Sequence, residues 1–177
     1  MFIQPIPMWW GSNDNWAYLV VDDESRNALV IDPANPEDHW DHAGGNKDIL
    51  TALGHPKLDV IGGKDCEGDS ICFFFQDRDQ KAVFTGDTLF TGGCGRFFEG
   101  TAEEMHVALN KHLASLPNDT VVFPGHEYTR SNAKFAVSVS QSDPVQQLLS
   151  FSEANPVTVG KYTIRDEKVA QKFCGFD

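Results

Sequence analysis

One ten-residue stretch constrains this chain more than any other. Residues 37–46 read Glu-Asp-His-Trp-Asp-His-Ala-Gly-Gly-Asn, which places His39, Asp41 and His42 close together and a double glycine soon after them. Imidazole and carboxylate groups together suit borderline metals such as zinc, and glycine lets a backbone fold closely around an ion. A single short loop supplies only some of a metal's ligands, so the pattern predicts further ligands elsewhere in the chain.

Two later residues are candidates for those ligands. Asp87 lies in the segment 85–90, Thr-Gly-Asp-Thr-Leu-Phe, and His126 lies in the segment 124–128, Pro-Gly-His-Glu-Tyr. Each follows a short apolar run that is typical of a β-strand. Because an α/β scaffold presents ligands at the ends of strands, the sequence predicts that Asp87 and His126 complete the metal site.

Composition limits the partners that this chain can have. Its 177 residues suit one domain, and 41% hydrophobic with 23% charged residues is ordinary for a soluble globular protein. Fourteen basic residues stand against 26 acidic ones, for a net charge of −12. Nucleic acid and anionic membrane surfaces are therefore not expected as partners, and an anionic substrate would need a local positive patch.

The cysteines and the first residues predict a cytoplasmic protein. Cys66, Cys72, Cys94 and Cys174 have neither CxxC pairing nor zinc-finger spacing, so they are predicted to be reduced thiols, with one bridge left open. The first seven residues lack the basic start of a signal or transit peptide. No apolar run approaches the length of a membrane span.

Hydrophobic patterns predict alternating strands and helices. Strands are expected at 16–21, 27–31, 58–61, 71–76, 81–85 and 120–123, and helices at 47–53, 129–141 and, as the last one, 143–153. Thr101 and Glu104 form a capping box that should open a further helix, in which His106 and His112 are exposed. The consecutive Phe73, Phe74 and Phe75 should occupy both faces of a strand and leave an apolar surface that favours association.

Several blocks of sequence together resemble one enzyme family. They are Ile3 to Trp10, residues 31–36, His39 to Asn46, and Ala82 to Tyr128, which includes Gly-Cys-Gly-Arg-Phe-Phe-Glu-Gly at 93–100. In this combination the chain resembles glyoxalase II, the hydroxyacylglutathione hydrolases of the metallo-β-lactamase superfamily, and is most similar to fungal members. The resemblance spans about two thirds of the chain.

The resemblance implies an α/β fold, an incomplete αββα sandwich of the metallo-β-lactamase type. It implies a domain over residues 1–155 and a remnant of a glutathione-binding region over 156–177. Compared with the family, the chain lacks a helix and strand between Pro36 and His39, and further strands with a metal-binding histidine between Lys64 and Cys72. The basic C-terminal region that grips glutathione is also expected to be absent.

The resemblance also implies a two-metal hydrolytic site that contains zinc, with iron or manganese as alternatives. Asp41, His42, Asp87 and His126 would form one complete metal site. His39 and Asp87 would be all that remains of the other, and Glu37 falls on a missing histidine position. Asp41 and Asp87 are the predicted catalytic carboxylates. The predicted substrate contacts are Arg96, Phe98 and Tyr128.

The function implied is hydrolysis of S-D-lactoylglutathione to glutathione and D-lactate, which detoxifies methylglyoxal. Because one metal site is damaged, two alternatives stay open beside an active enzyme. One is a catalytically inactive shortened form or one-metal binding protein. The other, less favoured by residues 95–100, is a protein like the persulfide dioxygenases.

Overall fold

The computed structural model describes residues 1–8, 14–33, 71–96 and 100–176. The chain divides into two compact units, Met1–Ile71 and Cys72–Asp177, and each is described by itself. The predicted helix at 47–53 and the predicted strand at 58–61 lie outside the described residues. So do His39, Asp41, His42 and Phe98.

The first unit contains an antiparallel sheet of three described strands. β1 (Phe2–Pro7), β2 (Trp16–Val21) and β3 (Ala28–Ile31) lie in the order β1-β2-β3. The predicted strands β2 and β3 are confirmed. β1 was not predicted. It contains two prolines, which an edge strand accepts, and among the described strands β1 lies at the edge of the sheet.

The second unit contains the sheet that carries the predicted ligands. β4 (Phe73–Asp77), β5 (Gln80–Gly86), β6 (Val121–Pro124) and β7 (Tyr162–Thr163) lie in that order. β4 and β5 form an antiparallel hairpin, whereas β5 and β6 run parallel. A parallel pair needs a long crossover, and the chain makes it through the helical segment between Thr101 and Leu113.

Four α-helices lie among the described residues. They are α1 (Ala102–Val107), which continues as a π-helical segment at Ala108–Leu113, α2 (Thr129–Val139), α3 (Asp143–Ala154) and α4 (Ile164–Gln171). A 3₁₀ turn, Lys172–Cys174, follows α4. The predicted capping box of Thr101 and Glu104 is confirmed, and His106 and His112 are exposed.

The predicted helix at 143–153 is confirmed as α3, but the prediction that it is the last helix was wrong, because α4 follows it. A second capping box, formed by Thr163 and Asp166, opens α4. Its buried face was hard to recognise because two of the four buried side chains are polar, Glu167 and Gln171. None of the helices in the described ranges has the length and apolar character that a membrane span requires.

Among the described residues of the second unit, two hydrophobic clusters form the core. The larger one joins the sheet to α4 and to the end of the π-helical segment, through Val83, Leu89, Leu113, Ala114, Val122, Ile164 and Phe176. The smaller one joins α2, α3 and α4 through Ala133, Leu148 and Ala170. Residues after 155 contribute to both clusters. The predicted boundary at 155 and the predicted glutathione-binding origin of residues 156–177 stay predictions.

The exposure of Phe74 on β4 and the state of the described cysteines both agree with the sequence predictions. Phe74 is 41% exposed on β4, whose neighbour among the described strands is β5. The expected association through this surface stays a prediction. The described cysteines, Cys72, Cys94 and Cys174, are present as thiols.

Candidate metal centre

Asp87 and His126 lie directly after two neighbouring parallel strands. β5 ends at Gly86, and β6 ends at Pro124. The backbone N–H of Gly125 donates to the carbonyl oxygen of Gly86 over 2.9 Å, which joins the two strand ends. Since parallel strands end at the same edge of a sheet, this topology brings the two predicted ligands together.

The separation of their side chains suits shared coordination. Nε2 of His126 lies 3.6 Å from Oδ1 of Asp87. An N–H···O hydrogen bond is normally no longer than about 3.2 Å. Two ligands that each lie about 2.1 Å from one tetrahedral ion are about 3.4 Å apart. The side chain of His126 is 7% exposed and that of Asp87 is 28% exposed. The two residues therefore fit neighbouring positions around one divalent ion.

Close backbone packing fixes the start of the Asp87 loop, residues 86–95. Gly86 has a φ of 47°, a left-handed value that favours glycine. A Cβ atom on Gly95 would lie 2.0 Å from the carbonyl oxygen of Asp87, so only glycine fits there. The hydroxyl of Thr85 donates to the carbonyl of Leu89 over 2.7 Å, which closes the first part of the loop.

Helices α2 and α4 brace the far end of the Asp87 loop. Residues 90–93 form a tight turn with reciprocal backbone hydrogen bonds of 2.9 and 3.1 Å, and Gly92 has a φ of 75°. The side-chain amide of Asn132 donates to the carbonyl of Thr91 over 3.1 Å. The backbone N–H of Gly92 donates to the buried carboxyl group of Glu167 over 3.0 Å. The turn is therefore held both by its own backbone hydrogen bonds and by hydrogen bonds to side chains of α2 and α4.

Aromatic contacts fix the imidazole of His126. Its ring stacks on Tyr128 with centroids 4.8 Å apart and an interplanar angle of 3°. Phe90, from the Asp87 loop, meets His126 edge-on at 6.1 Å and Tyr128 edge-on at 5.1 Å. Edge-to-face and stacked pairs of this kind are favourable arrangements. These ring contacts restrict the orientation of the imidazole, and therefore the directions in which its nitrogen atoms point.

A carboxylate anchors the His126 loop, residues 125–128, to the segment before β7. Glu127 accepts hydrogen bonds from the hydroxyl of Thr158 over 2.8 Å and from its backbone N–H. The hydroxyl of Thr158 also lies 2.5 Å from that of Thr129, at the start of α2. Hydrogen bonds to a charged acceptor are stronger than those between neutral groups. This arrangement holds the loop immediately after the ligand.

The structure brings together three of the predicted site residues. Asp87, His126 and Tyr128 are adjacent. Arg96 is exposed near the end of a described segment. The remaining predicted site residues, and Glu37, lie outside the described residues: His39, Asp41, His42 and Phe98. Within the described part of the chain no group of three or more His, Cys, Asp or Glu side chains could hold a metal, so any further ligands must come from elsewhere.

Sequence reasoning missed the residues that brace the two loops. Asn132, Thr158, Glu167 and Gln171 were not singled out, and Glu127 was seen only as part of a motif. One pattern could have indicated Glu167, because it lies three residues after Ile164 and four before Gln171 on the buried face of α4. No comparable pattern marks Asn132 or Thr158, since each contacts a residue far away in the sequence.

Comparison with known proteins agrees with this geometry. The Metallo-beta-lactamase superfamily profile matches residues 67–126, a segment that includes Asp87 and ends at His126. The chain is 40% identical to the probable hydroxyacylglutathione hydrolase glo2 of Schizosaccharomyces pombe, over 97% of this chain and 86% of that protein. It is 35% identical to the cytoplasmic isozyme of hydroxyacylglutathione hydrolase of Saccharomyces cerevisiae (94% and 85% covered) and 30% identical to the mitochondrial one (100% and 86%).

A solved structure supports the fold. The crystal structure of ETHE1 from Myxococcus xanthus is similar with a TM-score of 0.53 and 20% identity, over 72% of this chain and 76% of that one. At this identity the similarity concerns the fold alone. Together with the superfamily profile, it establishes the predicted metallo-β-lactamase type of fold.

The alignments also confirm that internal segments are absent. The alignment with the S. pombe protein runs over 223 positions, which exceeds the 177 residues of this chain by 46. At least that many positions of the relative therefore face gaps in this chain. The chain belongs to the hydroxyacylglutathione hydrolase family, or glyoxalase II, of the metallo-β-lactamase superfamily.

Proposed function

We propose that this chain is a metal-dependent hydrolase of glutathione thioesters, with S-D-lactoylglutathione as its substrate. The observation that carries the proposal is the 3.6 Å separation of Asp87 Oδ1 and His126 Nε2, at strand ends within the segment matched by the superfamily profile. The names of the relatives support the thioester substrate. The products would be glutathione and D-lactate.

The donor set suits a divalent ion such as zinc, with iron or manganese as alternatives. Asp41, His42, Asp87 and His126 would hold it, and His39 with Asp87 would be the remainder of a damaged second site. Such an ion supplies a water whose pKa is lowered to about 7 and a Lewis acid for the thioester carbonyl. Asp41 and Asp87 are accordingly the proposed catalytic carboxylates.

The protein's own residues would orient the ligand atoms and limit access by water. The stacked Tyr128 ring and the edge of Phe90 fix the imidazole of His126. Glu127 holds the backbone next to it through Thr158. The side chain of Asp87 keeps partial contact with solvent, which a bound substrate would replace.

The proposed substrate contacts suit the thiol half of a glutathione thioester. Glutathione is anionic, and the exposed guanidinium of Arg96 offers a local positive charge within a chain of net charge −12. The Tyr128 side chain, 37% exposed, offers both a ring face and a hydroxyl beside His126. Phe98 completes the proposed set.

A metal-binding and hydrolysis assay on the full chain tests this function. Zinc-loaded protein should hydrolyse S-D-lactoylglutathione and retain about one metal per chain after dialysis, because one ligand set is complete. Asp87→Asn should lose most metal and activity, whereas Asp79→Asn, in the exposed β4–β5 turn, should lose neither. Two metals that resist dialysis would contradict the single complete site.

The alternative is a one-metal binding protein without catalytic activity. It is favoured by the 46 or more alignment positions that this chain lacks, since a shortened chain can lose ligands of the second metal. Zinc that is bound through Asp87 without any thioester hydrolysis would support it. A persulfide dioxygenase remains a weaker prediction, because residues 95–100 favour glyoxalase II.

We also propose a cytoplasmic location, with neither nucleic acid nor a membrane as partner. The net charge of −12 disfavours both kinds of anionic surface. Among the relatives, one yeast isozyme is named cytoplasmic and another mitochondrial. Imaging of a tagged full-length chain would distinguish the two locations.

A further inference from the structure

Glu167 is a buried titratable residue that the proposed chemistry does not use. It lies on α4 and is 0% exposed. Its Oε2 accepts hydrogen bonds from the backbone N–H of Gly92 over 3.0 Å and from the side-chain amide of Gln171 over 2.8 Å. Its Oε1 and the hydroxyl of Thr91 are also buried. Burial of a carboxyl group is costly, so this placement calls for a role.

The surroundings of Glu167 favour its neutral form. Burial, with a smaller contribution from the Asp166 carboxylate, raises the pKa of Glu167 to about 7, although the amides of Gly92 and Gln171 and the Thr91 hydroxyl lower it. Tyr162, on β7, has its own pKa raised to about 12 by burial and by the negative charges of Glu167 and Asp166. A neutral carboxyl group still accepts through its carbonyl oxygen. The contact with Gly92 therefore does not require a charge.

Glu167 is connected to Asp87 through a short, tightly packed path. Gly92 occupies the tight turn of residues 90–93, and a Cβ atom there would lie 2.7 Å from Cδ2 of Leu148. Two residues after that turn, Gly95 lies against the carbonyl of Asp87. Because the loop is packed on both sides, a shift of the turn would displace Gly95 and with it the backbone of Asp87.

We propose that Glu167 is a positioning residue, whose carboxyl group, braced by Gln171, holds the turn of residues 90–93 and thereby orients the Asp87 ligand. This rests on the proposed function, in which Asp87 binds the metal. Gln171 supports the same turn directly, since its amide also lies 3.4 Å from the carbonyl oxygen of Phe90. Without the carboxyl group, the buried N–H of Gly92 would have no acceptor, and the turn would move to find one.

Two substitutions separate shape from charge at this position. Glu167→Ala removes the acceptor. Glu167→Gln keeps an acceptor of nearly the same shape, and its NH₂ group could donate to the Thr91 hydroxyl. Glu103→Gln, in the exposed first turn of α1, is the matched control for loss of a carboxylate. If Glu167 has a positioning role, Glu167→Ala should disturb the Asp87 ligand and weaken zinc binding, whereas Glu167→Gln should preserve both.

The test is zinc affinity by chelator competition, together with the visible spectrum of the cobalt-substituted full chain. Glu167→Ala should weaken zinc binding by about 10- to 100-fold, as is typical for residues that orient metal ligands, and change the cobalt spectrum. Glu167→Gln and Glu103→Gln should remain within about twofold of the wild type. Unchanged affinity and spectrum in folded Glu167→Ala would overturn the proposal.

A failure of the proposed function can be distinguished from a failure of the positioning role. If the wild type binds no zinc, or if Asp87→Asn binds as tightly as the wild type, the metal-site proposal fails. The positioning role is then judged by the amide NMR resonances of Asp87 and Gly92. Displacement of both in Glu167→Ala but not in Glu103→Gln supports it, and unchanged resonances overturn it.

A measurement on the wild type covers the case in which Glu167→Ala does not fold. The amide resonance of Gly92 should shift with pH around a midpoint near 7, and this transition should be absent in Glu167→Gln. A Gly92 resonance in the wild type that follows no titration between about pH 5 and pH 8.5 would overturn the contact on which the proposal depends.

Discussion

The two loops that carry Asp87 and His126 start from equivalent strand ends but are stabilised in different ways. The Asp87 loop is held by glycines that leave no space for a side chain and by a buried acid 75 residues later. The His126 loop is held by neighbours in sequence, Glu127 and Tyr128, and by Thr158 31 residues later. The first loop depends on shape and burial, and the second on a charged hydrogen bond and ring stacking.

The comparison shows where the site geometry comes from. Two of the long-range anchors, Thr158 and Glu167, lie in the segment that the sequence predicts to be a remnant of a glutathione-binding region. The same segment supplies β7 and α4 to the sheet and the core of its unit. Residues 156–176 are therefore structural supports of both ligand loops, whatever they contribute to substrate binding.

The largest effect should come from filling the space beside Asp87. Gly95→Ala would place a Cβ atom 2.0 Å from a backbone carbonyl, so the loop must move. We expect a loss of about 3 kcal/mol in the free energy of unfolding, with loss of zinc binding.

Gly175→Ala is the matched control. Gly175 has a φ of 85°, but a Cβ atom there would meet nothing within 4 Å. The change should cost about 1 kcal/mol of backbone strain and leave zinc binding unchanged. Gly95 is not among the glycines with a positive φ, so equal losses in the two variants would mean that the close approach to Asp87 costs no more than the backbone strain at residue 175.

The buried acid should make stability depend on pH. The pKa of Glu167 is raised from 4.5 in the unfolded chain to about 7 in the folded one, so the folded state binds the proton more tightly. Its contribution to the free energy of unfolding is complete below about pH 4.5 and is lost as the pH rises through 7. The loss should be about 3 kcal/mol.

Urea unfolding of the wild type and Glu167→Gln at several pH values checks this. The stability of the wild type relative to the variant should fall between pH 4.5 and pH 7, because a glutamine has no proton to lose. Glu103→Gln should show no such trend relative to the wild type. A relative stability that rises over this interval would contradict the sign of the effect.

Thr158→Val should weaken the His126 loop by a smaller amount. The substitution keeps the volume but removes the hydroxyl that donates to Glu127, while the backbone N–H of residue 158 still donates. We expect a loss of about 2 kcal/mol in the free energy of unfolding, as for a hydrogen bond to a charged group.

Thr120→Val provides the comparison for that loss. The Thr120 hydroxyl is buried and has no hydrogen-bond partner among the described residues. Its removal should be nearly neutral or stabilising in chemical denaturation. If both variants lose the same stability, the Glu127–Thr158 contact is not what anchors the His126 loop.

The smallest effect concerns the exposed side chain that follows the Asp87 loop. Arg96→Ala should raise the Michaelis constant for S-D-lactoylglutathione by about fivefold, equal to about 1 kcal/mol, because an exposed charge is screened. The effect should shrink with added salt. Lys111→Ala, also exposed, should leave the Michaelis constant unchanged. An Arg96→Ala enzyme with an unaltered Michaelis constant would remove Arg96 from the substrate site.

Much of the sheet and one part of the site could be predicted from sequence. The strands β2 to β6 follow apolar runs bounded by turns, and α1 follows its capping box. The positions of Asp87 and His126 after two strands also followed from local pattern. The pairing of β5 with β6 then explains why residues 39 apart in sequence lie 3.6 Å apart.

The sequence by itself determined which residues can carry metal chemistry and where the strands that present two of them lie. It did so because residue type and short-range periodicity are local properties. The tertiary structure alone decided that β7 and α4 support the site, that Gly95 lies against Asp87, and that Glu167 is buried beneath the turn at Gly92. These contacts join residues up to 81 positions apart, and their energies depend on burial and close packing that no local pattern contains.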